Sequence, residues 1–168
     1  ALELVAERFA AGGAAIAREP GGRIVFVEGA LPGERVEAEL LTSKRDFARA
    51  RTVRVIEPAA ERVAPPCAQV AAGCGGCGWQ HIDVAAQRSF LVDIVADALR
   101  RTARLPDAVV TPGDPIPDAG VRTTVRLGVD RLGRSGFRAA SSHRIVPTDR
   151  CLVAHPLLDD LLALPLPG

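Results

Sequence analysis

Apolar and polar residues alternate in short stretches over residues 1–57. Residues 23–27 form a β-branched and aromatic run with glycines on both sides, and Val36, Ala38 and Leu40 alternate with charged residues. Each pattern places one face of a strand on a core and the other in water. About five such strands, joined by turns rich in Gly and Pro, predict a small closed β-barrel, because closure removes the exposed edges of a small sheet.

A helical period follows a proline-rich boundary at residues 58–66. The apolar residues at this spacing are Leu91, Ile94, Val95, Ala98 and Leu99. They predict one amphipathic helix over about residues 84–104, with Asp83 as its N-cap. Arg100, Arg101 and Arg104 lie near its C-terminal end, where cations suit the helix dipole.

The last third of the chain returns to a strand pattern. Residues 121–130 predict a ten-residue half-buried strand, followed by a turn at 130–134, a return strand at 135–140 and a short strand around residues 145–146. The tail 157–164 has the pattern of a short helix. The predicted fold class is therefore mainly β with one long helix (α+β), in which a small OB-like barrel precedes an antiparallel sheet domain.

Composition and the chain's N-terminal residues limit the setting of the protein. Of 168 residues, 48% are hydrophobic and 24% are charged, which is typical of a soluble globular protein. No apolar run approaches the roughly 18 residues of a membrane-spanning helix. The first ten residues contain Glu3, Glu7 and Arg8, unlike a secretory signal. We therefore expect a cytoplasmic protein with no membrane association.

Positive charge is concentrated in two stretches. Residues 43–54 carry a net charge of +4 and residues 120–151 carry +5, while residues 65–119 carry −2. This pattern fits a nucleic-acid partner contacted at two places, although strands with solvated arginine faces are the alternative. The candidate contacts are Lys44, Arg45, Arg49, Arg51, Arg54, Arg122, Arg126 and Arg138.

The four cysteines indicate a metal site. Cys67, Cys74 and Cys77 have the spacing C-x6-C-x2-C, and 73 residues separate Cys77 from Cys151. Two glycines between Cys74 and Cys77 allow a tight turn and leave backbone N–H groups free to donate to sulphur. Four thiolates suit either tetrahedral zinc or a four-cysteine iron-sulphur cluster. The alternatives are four unrelated buried cysteines or a nucleophilic cysteine, which here lacks an obvious His and Asp or Asn set.

Two motifs carry a resemblance to a known family. The segment 67–81, CAQVAAGCGGCGWQH, resembles the cluster signature of the iron-sulphur RNA (uracil-5-)-methyltransferases, which make 5-methyluridine in ribosomal and transfer RNA. Residues 30–36, ALPGERV, resemble a turn of the TRAM domain, the family's N-terminal RNA-binding barrel. The parts that resemble the family's central domain are residues 122–130, 136–138, 142–143 and Cys151.

The resemblance implies a cofactor and its ligands. Cys67, Cys74, Cys77 and Cys151 match the family's four [4Fe-4S] ligands, which favours iron over zinc. Trp79, Gln80 and His81 match the segment packed beside the cluster. For Trp79 and His81, ordinary packing roles are the alternative. Family members often have an aromatic residue at the position of Val121, so we expect no aromatic contact there.

The resemblance also places the family's catalysis elsewhere. In the family, a C-terminal Rossmann-like domain binds S-adenosylmethionine and supplies a cysteine that attacks C6 of uracil and a glutamate that removes the C5 proton. We assign no catalytic residue in this chain. It is expected to be the N-terminal portion of such an enzyme, with a TRAM-like RNA-binding barrel at 1–58 and an incomplete cluster-binding domain at 59–168. The expected partner is rRNA or tRNA, and the chain is expected to be monomeric.

Two other interpretations stay open at this point. A free-standing RNA-binding module with a structural iron-sulphur or zinc site would have no catalysis of its own. It would differ from the partial enzyme in an open reading frame that does not continue past Gly168 into a Rossmann-like domain. An electron-transfer protein is disfavoured, because the ferredoxin spacing C-x2-C-x2-C is missing.

Overall fold

The structure, a computed structural model, describes residues 1–162. Its strands are β1 Leu2–Phe9, β2 Ala15–Arg18, β3 Ile24–Glu28, β4 Arg35–Ser43, β5 Phe47–Glu57, β6 Gly128–Val129, β7 Ser135–Arg138 and β8 Ile145–Pro147. Its helices are α1 Ala68–Ala71, α2 Val84–Ala98, which continues into a wider π turn at Leu99–Ala103, and α3 Pro156–Leu162. The predicted α+β fold class with few helices is confirmed. The predicted tail helix reaches Leu162, and residues 163–164 lie outside the described range.

Strands β1 to β5 form the predicted closed barrel, in the order β1-β2-β3-β5-β4. All neighbours are antiparallel except β3 and β5, which are parallel with Phe26 opposite Arg49. Small and β-branched residues fill the interior, and Val25, Val27, Ala48 and Ala50 are fully buried. Because successive residues of a strand point to opposite faces, the residues between them lie on the outer face of the barrel.

A buried ion pair closes the turn before β4. The Glu34 side chain is fully buried and accepts hydrogen bonds from the backbone N–H groups of Leu31 and Ala59. Arg62 completes the set, with its Nη2 atom 2.8 Å from Oε2 of Glu34. Burial raises the pKa of the Glu34 carboxyl, but the bonds from Arg62 and the two amides outweigh burial, so that pKa lies below its usual value.

Helix α2 begins at the predicted cap. The Asp83 carboxylate accepts hydrogen bonds from the N–H groups of Ala85 and Ala86, as an N-cap does. The helix contacts the barrel through Phe90, whose ring lies edge-on to Phe9 with centroids 5.0 Å apart. Leu91 and Val95, which the pattern placed on the apolar face, are instead about half exposed.

A second ion-pair cluster joins the end of α2 to the barrel. Asp97 is buried and lies within 3.1 Å of guanidinium nitrogens of Arg8, Arg100 and Arg101. Burial raises the pKa of Asp97, and the three arginines lower it by more, so the carboxylate stays charged. This ion-pair cluster therefore attaches the end of α2 to the barrel by charge, in addition to the contact between Phe90 and Phe9.

The chain divides into two compact units. The first contains residues 1–64 and 81–113, and the second contains residues 65–80 and 114–168, of which the structure describes those up to 162. These bounds differ from the predicted division at residue 58. Helix α2 comes after the cysteine loop in the sequence but packs on the barrel, so it belongs to the first unit. A family domain boundary at residue 58 stays a prediction.

The second unit contains a three-stranded antiparallel sheet in the order β6-β7-β8. The turn at 130–134 and the strand near residue 145 are as predicted, but the ten-residue strand at 121–130 is wrong. Only Gly128 and Val129 of this stretch pair with β7. Arg122 instead exchanges backbone hydrogen bonds of 2.8 Å with Val153 and His155.

Over residues 1–162, none of the helices combines the length and the apolar character that crossing a bilayer demands.

Candidate metal centre and nucleic-acid interface

The four cysteines line one cavity in the second unit. Three come from the loop around α1, and Cys151 comes from the segment between β8 and α3. Apolar side chains complete much of the wall, and they are Val70, Phe137, Leu152 and Val153. The cavity therefore has Cys151 and the three loop cysteines in its wall, and their role as metal ligands stays a prediction.

Backbone hydrogen bonds hold the cysteine loop against the end of β7. The N–H of Gly75 donates to the carbonyl of Arg138 at 2.9 Å, and the N–H of Ala140 donates to Gly73 at 3.2 Å. A Cβ on Gly75 would lie 2.8 Å from the backbone nitrogen of Ala140. Glycine is needed at position 75 because the two backbones approach too closely for a side chain.

One backbone N–H donates to a cysteine sulphur, and two others fix the backbone at neighbouring cysteines. The N–H of Gly76 points at Sγ of Cys74 across 3.5 Å, as the two glycines of the motif predicted. The N–H of Cys67 donates to the side-chain oxygen of Gln80, and the N–H of Cys151 donates to the carboxylate of Asp159 on α3. These three hydrogen bonds orient the chain at Cys67, Cys74 and Cys151.

Two guanidinium groups belong to the same wall. Arg122 donates from Nη2 to the carbonyl of Gly76 at 3.2 Å, and Arg150 forms an exposed ion pair with Asp159 at 3.3 Å. Asp159 balances the charge of Arg150, whereas Arg122 forms no ion pair with any acid of the described residues. The positive charge of Arg122 at this cavity suits thiolates, which are anions when they bind metal. Arg122, predicted as a nucleic-acid contact, is thus placed at the cysteine cavity.

Thiols are the anionic metal donors of this cavity, beside the neutral oxygens of Gln69, Gln80 and Thr148. Within the described part of the chain, its wall contains the four thiols and no histidine or carboxylate. Such soft donors suit zinc or iron-sulphur clusters. No three His, Cys, Asp or Glu side chains of residues 1–162 are close enough together to hold one metal ion.

The three residues predicted beside the cluster separate in the structure. Gln80 lines the cavity, whereas Trp79 is half-buried and is not among the lining residues. His81 belongs to the barrel unit, where its carbonyl accepts from the N–H of Val63. Burial lowers the pKa of His81, with repulsion by Arg62 adding to it, so the ring favours the neutral form.

The predicted basic contacts of the barrel fall into two groups. Arg51 and Arg54 each form an exposed ion pair with a glutamate of β4, at 2.8 Å to Glu39 and 3.1 Å to Glu37. Lys44, Arg45 and Arg49 are exposed, and they form no ion pair with any acid of the described residues. Only the second group keeps its full positive charge available to a partner.

Phenylalanine side chains lie among these unpaired cations, which the sequence pattern did not single out. Phe26 and Phe47 meet edge to face, with ring centroids 5.9 Å apart. The ammonium of Lys44 lies 5.4 Å from the centroid of Phe47, and the guanidinium carbon of Arg49 lies 5.8 Å from that of Phe26. The parallel pairing of β3 with β5, which alternation alone does not reveal, brings them together.

The remaining basic candidates lie in the second unit. Arg126 and Arg138 are exposed, and Arg138 takes part in the cysteine loop only through its backbone carbonyl. With the strand at 121–127 absent, these two side chains are not members of one regular sheet face.

Comparison with known proteins identifies the class of the barrel. Residues 4–53 match the TRAM domain family, and this range spans β1 to the middle of β5. The first unit therefore contains a TRAM domain.

Relatives extend the similarity to most of the chain. The chain is 42% identical over 165 residues to the 23S rRNA (uracil(1939)-C(5))-methyltransferase RlmD of Halomonas elongata, covering 95% of this chain and 34% of that protein. It is 40% identical over 157 residues to an uncharacterized RNA methyltransferase of Streptomyces coelicolor, covering 85% of this chain and 34% of the relative. The chain is homologous to RlmD-type RNA (uracil-5-)-methyltransferases over 85–95% of its length, and it spans about a third of theirs.

A solved structure has the same fold. The Pyrococcus abyssi tRNA (uracil-54, C5)-methyltransferase, crystallised with S-adenosyl-L-homocysteine, superimposes with a TM-score of 0.61 at 20% identity. The match covers 95% of this chain and 35% of that one.

Proposed function

We propose that this chain is the RNA-binding and [4Fe-4S]-bearing portion of an S-adenosylmethionine-dependent enzyme that forms 5-methyluridine in rRNA or tRNA. The observation that carries the proposal is the homology to RNA (uracil-5-)-methyltransferases across nearly the whole chain. Methyl transfer and S-adenosylmethionine binding would belong to the part of such an enzyme that this chain does not span.

The shared cavity supports the cluster part of the proposal. Cys67, Cys74, Cys77 and Cys151 would hold the cluster, which serves such a protein as a covalent cross-link between distant segments. A four-iron cluster takes one thiolate at each iron, so its ligands surround a cavity instead of converging on one ion. The apolar wall and the Gly76 N–H would limit solvent access and stabilise the sulphur charge. A cytoplasmic setting, where thiols stay reduced, suits this chemistry.

The TRAM match and the unpaired cations support the RNA part of the proposal. Lys44, Arg45 and Arg49 lie on one side of the barrel and can each neutralise a phosphate without first breaking an ion pair. Arg51 and Arg54 would have to leave glutamates to do the same.

Metal analysis tests the cluster. Protein purified without oxygen should be brown and contain about four iron atoms per chain. Elemental analysis and visible absorption measure both properties. Stoichiometric zinc without iron in anaerobically handled protein would contradict the cluster and favour the zinc module.

Salt-dependent RNA binding tests the two groups of cations separately. Removing Lys44 and Arg49 together, each by change to Ala, should weaken binding to every single-stranded RNA and make the slope of log affinity against log salt shallower by about 1.4. Fluorescence anisotropy at several salt concentrations gives this slope.

The matched control is the double change Arg51→Ala and Arg54→Ala on the same strand. Because carboxylates already neutralise both arginines, the control should change the slope by clearly less. Equal slopes in the wild type and the Lys44, Arg49 variant would remove these residues from the RNA site.

A further inference from the structure

We propose that the surface formed by Phe26, Phe47, Lys44 and Arg49, here called the aromatic–basic surface, stacks unpaired nucleobases of the bound RNA. This inference rests on the proposed RNA-binding function and adds to it the part of the ligand that is recognised. Electrostatic contacts neutralise phosphates, whereas aromatic rings bind base faces.

The two rings are accessible on the outside of the barrel. Their neighbours along the strands, Val25, Val27 and Ala48, are fully buried, so the alternation of β3 and β5 turns both rings outward. Each ring remains only half-buried. The two partly exposed side chains meet edge to face, so they form an angled apolar patch at one place on the barrel.

The charges around the rings select the ligand. Lys44 and Arg49 lie over the two rings. Arg45 follows Lys44 in the sequence, and Asp46 at the tip of the β4–β5 hairpin is the one acid among residues 44–49. A ligand for this surface should carry flat apolar groups and negative charges in alternation, which describes a single strand of nucleic acid. Proteins that bind single strands combine aromatic stacking platforms with basic grooves in the same way.

The cations over the rings do not prevent stacking. Lys44 and Arg49 reach the ring faces with long, exposed side chains. An exposed cation–π contact is weaker than the stack of a base on an aromatic ring. A base can therefore displace the ammonium or lie against the guanidinium plane, and the released cation can bind an adjacent phosphate.

The hairpin that carries Lys44 is held in place before any ligand arrives. Arg23 donates from Nη1 to Oγ of Ser43 at 2.8 Å and to the carbonyl of Lys44 at 3.1 Å. Glu19 orients Arg23 through an ion pair of 2.8 Å. Because the tip is fixed by these bonds, binding orders fewer groups and loses less entropy.

The experiment compares two RNAs on the same protein. The probes are an oligouridine of about eight nucleotides and the same strand with abasic sites at its centre. The wild-type chain should bind the intact strand about tenfold more tightly than the abasic strand. In Phe26→Leu and Phe47→Leu this ratio should fall toward one. If a substitution reduces the amount of folded protein, the binding of both RNAs falls equally. The ratio of the two affinities is then unchanged.

Phe90→Leu is the matched control, since it removes an aromatic ring that contacts Phe9 on another side of the barrel. It should keep the wild-type ratio. Equal binding of the two RNAs by the wild-type chain, with normal salt dependence, would overturn stacking and leave the electrostatic RNA site intact. Absence of binding to either RNA at low salt would overturn both proposals.

Discussion

Glu34→Gln should destabilise the barrel unit by about 3–5 kcal/mol, which is a large part of the stability of a domain of this size. The change removes the negative charge and leaves Arg62, four-fifths buried, without its partner in a closed turn. The amides of Leu31 and Ala59 also lose a charged acceptor. Denaturant unfolding followed by far-ultraviolet circular dichroism measures the loss.

The exposed pair of Arg51 with Glu39 on the same barrel is the control. Glu39→Gln should cost no more than about 1 kcal/mol, since solvent screens both charges. If the two variants unfold at the same denaturant concentration, the buried pair contributes nothing beyond a surface one.

Acid should act on the wild type through the same carboxyl. The pKa of Glu34 is lower in the folded chain than in the unfolded chain. Its stabilisation is therefore fully present above the ordinary carboxyl pKa and is lost as the pH falls through the folded value. Glu34→Gln should flatten this part of the curve of stability against pH. An unchanged acid limb in the variant would assign acid unfolding to other carboxyls.

Cys151→Ser should reduce the iron content from about four atoms per chain to below about one, because a four-cysteine cluster with one ligand removed is readily lost. Thermal stability of the second unit should fall with it, since a covalent link across 73 residues disappears. Iron analysis and thermal unfolding of anaerobically prepared protein measure both effects.

The barrel and the cysteine loop should survive that change. Hydrogen bonds from Gly75 and Ala140, and one from Arg144 to the carbonyl of Ala72, hold the loop to the sheet independently of Cys151. Thr148→Ser, in the wall of the same cavity, keeps a hydroxyl and should leave the iron content unchanged. Full iron content in Cys151→Ser would show that Cys151 is not a ligand.

Local pattern predicted the elements whose partners are close in sequence. The alternation at residues 36–40 and the run at 23–27 led to a closed barrel because strands that short have few other ways to hide their edges. Asp83 was recognisable as an N-cap because capping depends on the two following residues alone. The metal candidates were equally accessible, since the spacing of Cys74 and Cys77 is local.

The features that the sequence pattern did not predict depend on partners that are distant in the sequence. Residues 121–127 alternate like a strand, but alternation specifies two faces and not a neighbour. Arg122 bonds to the backbone of Val153 and His155 instead of to β7. The role of Glu34 depends on Arg62, which lies 28 residues away. The same limit applies to Arg51, whose charge is neutralised by Glu39 across the hairpin. A count of charged residues in the sequence gives Arg51 the same weight as Arg49, although only Arg51 is paired with an acid.

The backbone bonds between the cysteine loop and β7 have a consequence for the way in which the proposed cluster would be loaded. A loop that its own amides hold in shape has already lost much of its conformational entropy during folding. Cysteines on such a loop form a chelator organised in advance, and metal binding does not have to supply the free energy that orders them. Synthesis of the chain and delivery of the proposed cluster would then be separate events in time.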